Sequence, residues 1–571
     1  MPENFKFDEL VYTRPDGDLL KKTLEKLTED LKNAETYTRA REVFFEKEKL
    51  TADFHTMTTI ASIRHTVDTK DKFYDEEDEA MNELYPTVVP YLLAFSNELY
   101  DGKFRPEFEK EFGKQLFVSI EIDRNSFTEK NIPLMQREAK LCSEYEKLIA
   151  SAEISFRGEK LNLYGILKYV EDPDRDTRKE AAAAYSSFFS TNEKRMEEIW
   201  DELIHIRNEM GRNLGFENFI PLGYLQQGRT DYDAKDVAAF REQVREELVP
   251  FCETLYKAQA ERLGVEKIRF YDEKCVFKSG NAVPVGDDDF LIERAREMYR
   301  DMSEETGEFI DYMLDHRLLD LKNKPGKAST GYMTELEKYK APFVFSCFNH
   351  TTFDVEVLTH ELGHAFAGYM AMRTQPISAY YSETTDIAEI HSMSMEQFSY
   401  PYAEKFFGDS ADKFRFSHLQ EALTFVPFGV AVDEYQHLVY ENEDLTPRER
   451  TALWKKLEEK YMPWRDYGDD EFFARGGWWY HKIHIFLYPF YYINYTLTTM
   501  GAMEFKKKFA EDKNAAWNDY MTLCKVGGSL GYKETLKTAH LALPFGEGSV
   551  KKACAYAESI LIGSIEAMKK V

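Results

Sequence analysis

The residues best suited to chemistry are two histidines separated by three residues, His360-Glu361-Leu362-Gly363-His364, an HExxH pattern. Residues four apart lie on one face of a helix, so both imidazoles can reach one metal ion. Zinc accepts such nitrogens at about 2.0–2.1 Å. Glu361 faces an adjoining direction, where its carboxylate can take a proton from a metal-activated water instead of binding the metal. The pattern therefore predicts a zinc centre with its own general base.

The third metal ligand must come from elsewhere in the chain. One large class of zinc peptidases continues as HExxHxxGxxH, but Ala367 and Met370 occupy the last two defined positions, which excludes that class. A second helix is predicted for DIAEIHSMSMEQF, which follows Ser and Thr residues suited to an N-cap and ends before Pro401. We predict that Glu389 on this helix is the third ligand. Glu396 lies close to the same helical face, where it can orient a histidine or make an ordinary core pair.

These segments together resemble the thimet oligopeptidase/oligoendopeptidase F family of zinc metallopeptidases, and most of all its bacterial oligoendopeptidase F and Pz-peptidase-type members. The likeness rests on THELGHAF, DIAEIHSMSMEQF, YKAPFVFSCF and HIFLYPFYYINYTL. It implies one Zn²⁺ per chain, held by His360, His364 and Glu389, with Glu361 as catalytic base. It also implies a mainly α fold: a large two-lobed helical body enclosing a deep channel, with a small β-sheet near the zinc site. Such a channel admits short unfolded peptides and excludes folded proteins.

The resemblance further implies a cluster that holds the substrate carbonyl, at His484, Tyr491, Tyr492 and Tyr495. From the residues alone, Pro489 suits the first turn of a helix on which Tyr491 and Tyr495 share a face. Phenol and imidazole groups can donate hydrogen bonds to a developing oxyanion. An aromatic core helix is the alternative. His481 is a further candidate donor, and the glycine pair 476–477 permits a loop that bends towards substrate.

The segment YKAPFVFSCF (339–348) is the most strand-like run in the chain. Two interpretations are open. An exposed edge would pair with the backbone of an extended peptide, which ignores side chains and suits broad specificity. Alternatively, the strand is buried beneath the metal-binding helix.

Most other segments have apolar residues at three- and four-residue spacing, which predicts helices. Breaks are predicted at 268–290, with short β-like runs, and at the loops 322–334 and 464–479. No fixed-period repeat or long linker occurs. We therefore predict one continuous helical body, with residues 1–150 as its N-terminal helical part and residues 151–571 as the zinc peptidase catalytic region.

Composition excludes several classes of protein. The 102 acidic and 74 basic residues give a net charge of −28, which disfavours nucleic-acid binding. Six scattered cysteines indicate reduced thiols. No apolar run approaches the ~20 residues of a membrane span, and the polar, acidic start is unlike a secretory signal. A cytoplasmic protein is expected.

The sequence thus predicts a zinc-dependent endopeptidase that hydrolyses short unfolded oligopeptides by attack of a metal-activated water. Three alternatives are a zinc-containing peptide-binding protein with little turnover, a zinc amidohydrolase acting on a non-peptide amide, and a helical scaffold with a chance motif. A pure binding protein has no need of a base at Glu361. Only the family likeness argues against the second alternative.

Overall fold

The computed structural model describes residues 5–328 and 330–570, and it is built mainly of α-helices, as predicted. In chain order the helices are α1 (Gly17–Asn33), α2 (Tyr37–Val67), α3 (Lys72–Asp101), α4 (Arg105–Phe112), α5 (Gln115–Ser126), α6 (Ile132–Ala150), α7 (Leu163–Val170), α8 (Arg175–Asn213), α9 (Ile220–Gln226), α10 (Ala234–Gln243), α11 (Val249–Leu263), α12 (Asp288–Met302), α13 (Glu304–Asp315), α14 (Thr352–Thr374), α15 (Thr385–Ser399), α16 (Ala403–Phe407), α17 (Ala411–Glu441), α18 (Pro447–Tyr461), α19 (Ile483–Leu487), α20 (Ile493–Glu511), α21 (Lys513–Val526), α22 (Tyr532–Thr538) and α23 (Ser549–Met568). The strands are β1 (Ile154–Phe156), β2 (Glu159–Leu161), β3 (Leu319–Asp320), β4 (Tyr332–Leu336) and β5 (Ala341–Phe345).

The chain forms two compact units, each assembled from three separate segments. Unit 1 contains Met1–Arg124, Val283–Asp409 and Lys508–Leu541. Unit 2 contains Asn125–Ala282, Ser410–Lys507 and Ala542–Val571. The division into 1–150 and 151–571 stays a prediction about the sequence, because both units are discontinuous along the chain.

In unit 1, polar capping residues end helices at places where the helical spacing of apolar residues continues. The periodic segment 61–85 is interrupted between α2 and α3, because the Asp71 carboxylate accepts the backbone N–H groups of Phe73 at 2.9 Å and Tyr74 at 3.3 Å. A second interruption separates α12 from α13 at Ser303, whose side chain accepts the N–H of Thr306 at 3.1 Å. Periodicity therefore located the helices, and capping residues set their ends.

A three-stranded sheet in unit 1 has the order β3-β5-β4. The central strand β5 runs parallel to β3 and antiparallel to β4, and all five of its residues are buried. Of the two interpretations of YKAPFVFSCF, the buried strand is confirmed and the exposed edge is wrong. Among the described residues, β4 forms a free edge of this sheet and is half-buried over most of its length.

The predicted β-like runs at 268–290 are wrong. The described residues there form a short helical turn at Phe270–Asp272 followed by irregular backbone. Asp272 is fully buried, and its carboxylate binds Arg175 at 2.7 Å and Arg178 at 2.8 Å in unit 2. The segment is thus organised by buried ion pairs instead of by a strand ladder.

Unit 2 is held together partly by buried charges between its long helices. The fully buried Arg450 on α18 binds Glu197 at 2.7 Å and Asp201 at 2.8 Å, both on α8. Removing one partner of such a pair leaves an uncompensated buried charge, so these contacts fix the helix register.

Two further expectations concern the whole chain. All six cysteines are free thiols, in agreement with the prediction. Among the described residues, no helix combines the length and the apolar character that crossing a membrane requires.

Candidate active-site residues

Helices α14 and α15 of unit 1 bring together two imidazoles and one carboxylate. One donor atom from each of His360, His364 and Glu389 lies within 4.8 Å of the others. The Nε2 atoms of His360 and His364 are 3.2 Å and 3.5 Å from the same oxygen of Glu389. Two imidazole nitrogens and a carboxylate oxygen are a donor set that suits a catalytic zinc ion with an open fourth position. The residues present therefore fit the metal that the sequence implies.

The charge of Glu389 is stabilised by its neighbours. Burial opposes ionisation of this carboxylate, but the facing His364 and hydrogen bonds from both imidazoles outweigh it and lower the pKa of Glu389 well below its usual value. Ser392, on the next turn of α15, also donates its hydroxyl to Glu389 Oε2 at 3.1 Å. The role of Ser392 was not predicted, although its i+3 spacing from Glu389 is a usable signal.

Gly363 explains how the two helices come so close. A Cβ atom at this position would lie 2.7 Å from Ser392 Cα, 3.0 Å from Met395 Cβ and 3.2 Å from the carbonyl oxygen of His391. Any side chain would force α14 away from α15. The close approach of α14 and α15 therefore requires a glycine in the middle of the HExxH pattern. We call His360, His364 and Glu389, which this approach brings together, the metal group.

Two more carboxylates on these helices lie in different surroundings. Glu396 contacts His360 Nδ1 at 2.5 Å, which turns Nε2 of that ring towards Glu389. Asp354 instead accepts the backbone N–H groups of Asn349 at 2.8 Å and His350 at 2.7 Å, as a carboxylate at the start of a helix commonly does. Glu396 thus orients a candidate ligand, and Asp354 supports the start of α14.

A further ion pair behind the metal group was not predicted. The buried His391 contacts Glu383 Oε1 at 2.7 Å, and Tyr520 on α21 donates its hydroxyl to the His391 carbonyl at 3.0 Å. Glu383 lies in the turn before α15, where the sequence gives no periodic signal. These contacts anchor α15 to its neighbours in unit 1.

Glu361 lies beside the start of the β4 edge. It is half-buried, and a Cβ atom at Gly331 would come within 3.9 Å of its Oε1 atom. The carboxylate is therefore not enclosed by the packing of α14. The adjacent backbone at Gly331 is exposed and leads directly into β4.

The predicted histidine and tyrosine cluster forms within unit 2. The His484 ring centroid lies 4.8 Å from that of Tyr492, 5.7 Å from that of Tyr491 and 6.1 Å from that of Tyr495. Tyr492 is buried, whereas His484, Tyr491 and Tyr495 are partly exposed. His481 has one ring nitrogen, Nδ1, against the carbonyl oxygen of Trp478. The structure thus brings the four predicted residues together and leaves three of them accessible.

The local backbone of this cluster differs from the prediction. Helix α20 begins at Ile493, so the expectation that Pro489 opens the helix is wrong. Phe490 is fully buried with φ of 61°, and its N–H donates to Gln436 Oε1 at 3.0 Å while its carbonyl accepts from Arg229 at 2.6 Å. These tertiary contacts hold Phe490 in the left-handed region, so the helix begins only after this residue.

The glycine pair 476–477 is buried in unit 2 and does not form an open loop. Gly476 has φ of 107°, and a Cβ atom there would lie 2.2 Å from the carbonyl oxygen of Thr451 on α18. Backbone conformation and close packing therefore account for Gly476.

Comparison with known proteins decides the family. Residues 301–553 match the family described as peptidase family M3, and residues 7–127 match the peptidase M3 N-terminal domain. The chain belongs to peptidase family M3. The first match covers α14, α15 and the histidine and tyrosine cluster, so every predicted site residue of this family M3 peptidase lies within it.

Solved structures agree over the full length of this M3 peptidase. An X-ray structure assigned to oligoendopeptidase F is 43% identical, with each chain covered completely and a TM-score of 0.93. The structure of PZ peptidase A with an inhibitor is 44% identical and covers 98% of this chain and 99% of that one, with a TM-score of 0.92. The oligoendopeptidase F homolog of Borreliella burgdorferi is 21% identical over 418 residues, 70% of each protein. The predicted family resemblance is confirmed.

Proposed function

We propose that this M3 peptidase is a zinc-dependent endopeptidase that hydrolyses short, unfolded oligopeptides. One observation carries the proposal: two imidazole nitrogens and a carboxylate converge within 4.8 Å on α14 and α15, and Glu361 stands on the same helix beside a free strand edge. A metal-binding group, a base and a surface that can accept extended backbone are the parts that metal-assisted peptide hydrolysis needs.

His360, His364 and Glu389 would hold the Zn²⁺ ion. When bound there, zinc supplies Lewis-acid chemistry, which polarises a carbonyl and makes a water molecule acidic near neutral pH. The carboxylate of Glu361 accepts the proton of the attacking water and later delivers it to the leaving amine. Glu396 keeps the His360 ring in the orientation that directs Nε2 towards Glu389.

The free edge of β4 is the proposed binding surface for the substrate backbone. An extended peptide can add to this edge through main-chain hydrogen bonds, as strands do in other peptide-binding proteins. The start of β4 lies near Glu361, so a peptide on this edge would present a backbone carbonyl near the base. Recognition through the backbone is compatible with many sequences.

We propose, from the family resemblance, that His484, Tyr491 and Tyr495 donate hydrogen bonds to the substrate carbonyl oxygen as it gains charge. Their partial exposure in unit 2 supports this role. Tyr492 packs against Phe425 and Phe428, with ring centroids 5.4 Å and 5.8 Å away, and a direct role for its hydroxyl stays a prediction.

The test is cleavage of a quenched fluorescent peptide of about ten residues, an extended length that can cross a buried site. We expect cleavage by the zinc-loaded protein, loss with a chelator and recovery with zinc. Glu361→Gln should retain zinc and lose turnover. Tight peptide binding without cleavage would favour the peptide-binding alternative, and cleavage of non-peptide amides alone would favour the amidohydrolase.

A further inference from the structure

A groove follows the free edge of β4 in unit 1. Its volume is about 470 Å³, and its walls come from β4 itself, from α2 and α3, and from Ser382. That volume is within the range of cavities that bind small ligands or side chains. The groove therefore has room for a long side chain of a peptide bound along β4.

Two carboxyl groups line the groove wall. Glu335, on β4, and Glu337, just beyond the end of the strand at Leu336, both line it. Among the described residues, Glu335 accepts a hydrogen bond from Ser382 Oγ at 3.1 Å and forms no ion pair with a basic side chain. Burial, together with the nearby charges of Glu383 and Glu337, raises the pKa of Glu335 to about 7 against the opposing effect of the Ser382 hydrogen bond.

Glu337 adds a buried polar atom whose hydrogen-bonding capacity is unsatisfied. One of its oxygens contacts His55 Nδ1 at 2.9 Å, but Glu337 Oε2 is buried and has no hydrogen-bond partner among the described residues. The other ring nitrogen of His55, Nε2, is also buried without a partner. Unsatisfied buried polar atoms are costly, and a ligand that donates hydrogen bonds would remove the cost at Glu337.

The groove lies at a defined distance from the catalytic base. Gly331, just before β4, lies beside Glu361, whereas Glu335 Oε1 would lie 3.2 Å from a Cβ atom at Gly368, one turn after His364. Four strand residues span about 13 Å. Antiparallel pairing is slightly more stable per residue than parallel pairing. A peptide antiparallel to β4 has its N-terminal side over Glu335 when its scissile bond is near Glu361.

We infer that this groove is a subsite for a cationic group about four residues N-terminal to the scissile bond. The cation is a lysine or arginine side chain, or the α-ammonium group of a peptide that begins at that residue. The inference rests on the proposed peptidase function, and it adds a charge preference to recognition through the backbone.

The experiment compares peptides that differ at one position. Quenched peptides contain lysine or norleucine four residues before the scissile bond, and a third contains lysine four residues after it. The wild-type protein should prefer lysine over norleucine before the bond by about tenfold in kcat/KM, the effect of one hydrogen bond to a charged group. Lysine after the bond should give no such preference. Shorter peptides that begin at the same residue, with free or acetylated amino termini, distinguish the α-ammonium from the side chain.

Variants connect the preference to the groove. Glu335→Gln should reduce the lysine-to-norleucine ratio to about one, and Glu335→Lys should favour a glutamate peptide instead. The matched control Glu79→Gln changes the same charge on an exposed part of α3 and should keep the wild-type ratio. A preference that survives both changes at Glu335, or no preference in the wild-type protein, would overturn the inference.

Failure of the proposed peptidase function can be distinguished from failure of the cation subsite. If neither peptide is cleaved, calorimetry with the zinc-loaded wild-type protein still compares binding of the lysine and norleucine peptides. Equal affinities would then reject the cation subsite, and tighter binding of the lysine peptide that Glu335→Gln abolishes would support it.

Discussion

Substitution of Gly363 by alanine tests whether the separation of two helices controls the metal group. An added Cβ atom would lie 2.7 Å from Ser392 Cα, whereas carbon atoms pack at about 3.5–4.0 Å. Since the obstacle is backbone, α14 and α15 must separate locally by about 0.8 Å or more. Zinc-ligand distances tolerate changes of only about 0.2 Å.

The substitution should lower both the stability and the function of the protein. Overpacking costs about 1–3 kcal/mol, and replacing a helical glycine by alanine recovers about 0.5–1 kcal/mol of it. Gly363→Ala should thus unfold at a free energy at most about 2.5 kcal/mol below that of the wild-type protein. A displacement near 1 Å in the metal group should lower kcat/KM by about 10²-fold and weaken zinc binding.

The assay combines zinc content after dialysis, peptide hydrolysis at saturating zinc and denaturant unfolding. Gly563→Ala on α23 is the matched control, because a Cβ atom there has nothing within 4 Å. It should gain about 0.5–1 kcal/mol and keep zinc and activity. Normal zinc affinity and turnover in Gly363→Ala would refute the argument that this glycine sets the ligand geometry.

Three other perturbations have defined outcomes. Glu396→Gln should weaken zinc affinity by about 10- to 100-fold in a competition titration with a chromophoric chelator, and an unchanged affinity would show that its contact with His360 is not needed. Tyr495→Phe should lower kcat by about 10²–10³-fold with little change in KM. Tyr492 is buried, so Tyr492→Phe should change kcat far less. Equal effects of the two substitutions in steady-state kinetics would contradict the role of Tyr495 as the hydrogen-bond donor. Burial raises the pKa of Glu458 from 4.5 to about 7, so the folded protein binds this proton more tightly than the unfolded chain, and its contribution to stability is lost as pH rises through 7. Glu458→Gln mimics the protonated form and should remove about 2 kcal/mol of the difference in unfolding free energy between pH 5.5 and pH 8. The same difference between these two pH values in both proteins would disprove it.

The spacing of apolar residues along the chain predicted the mainly helical fold. The spacing of the two histidines predicted the first part of the metal group. His360 and His364 are fixed relative to each other by one helical turn, so the sequence suffices to place them on one face. Glu389 needed only the recognition of a second helix. In contrast, the pairing of Glu383 with His391 depends on how a turn folds back onto α15, which no periodicity encodes.

The remaining errors have tertiary causes. Pro489 has the local preference of a helix start, but buried contacts hold Phe490 at a positive φ and move the start to Ile493. The residues YKAPFVFSCF indicate a strand without indicating its neighbours, so the position of β4 at the edge and the groove beside it could not be predicted. Both outcomes depend on partners that are distant in the sequence.

The interleaving of the two units constrains how the protein can be synthesised. Unit 1 is incomplete until Lys508–Leu541 has left the ribosome, and unit 2 until Ala542–Val571 has. Helix α14, which contains His360 and His364, depends on the late segment for its packing. Phe366 on α14 packs against Trp517 and Tyr520 of α21 at ring-centroid distances of 6.0 Å and 6.3 Å. Domains normally fold in turn during translation, but here the last segment of each unit makes contacts with residues that are distant in the sequence, and such non-local contacts form slowly. Nascent chains shorter than about 540 residues therefore expose apolar surface that the folded units bury.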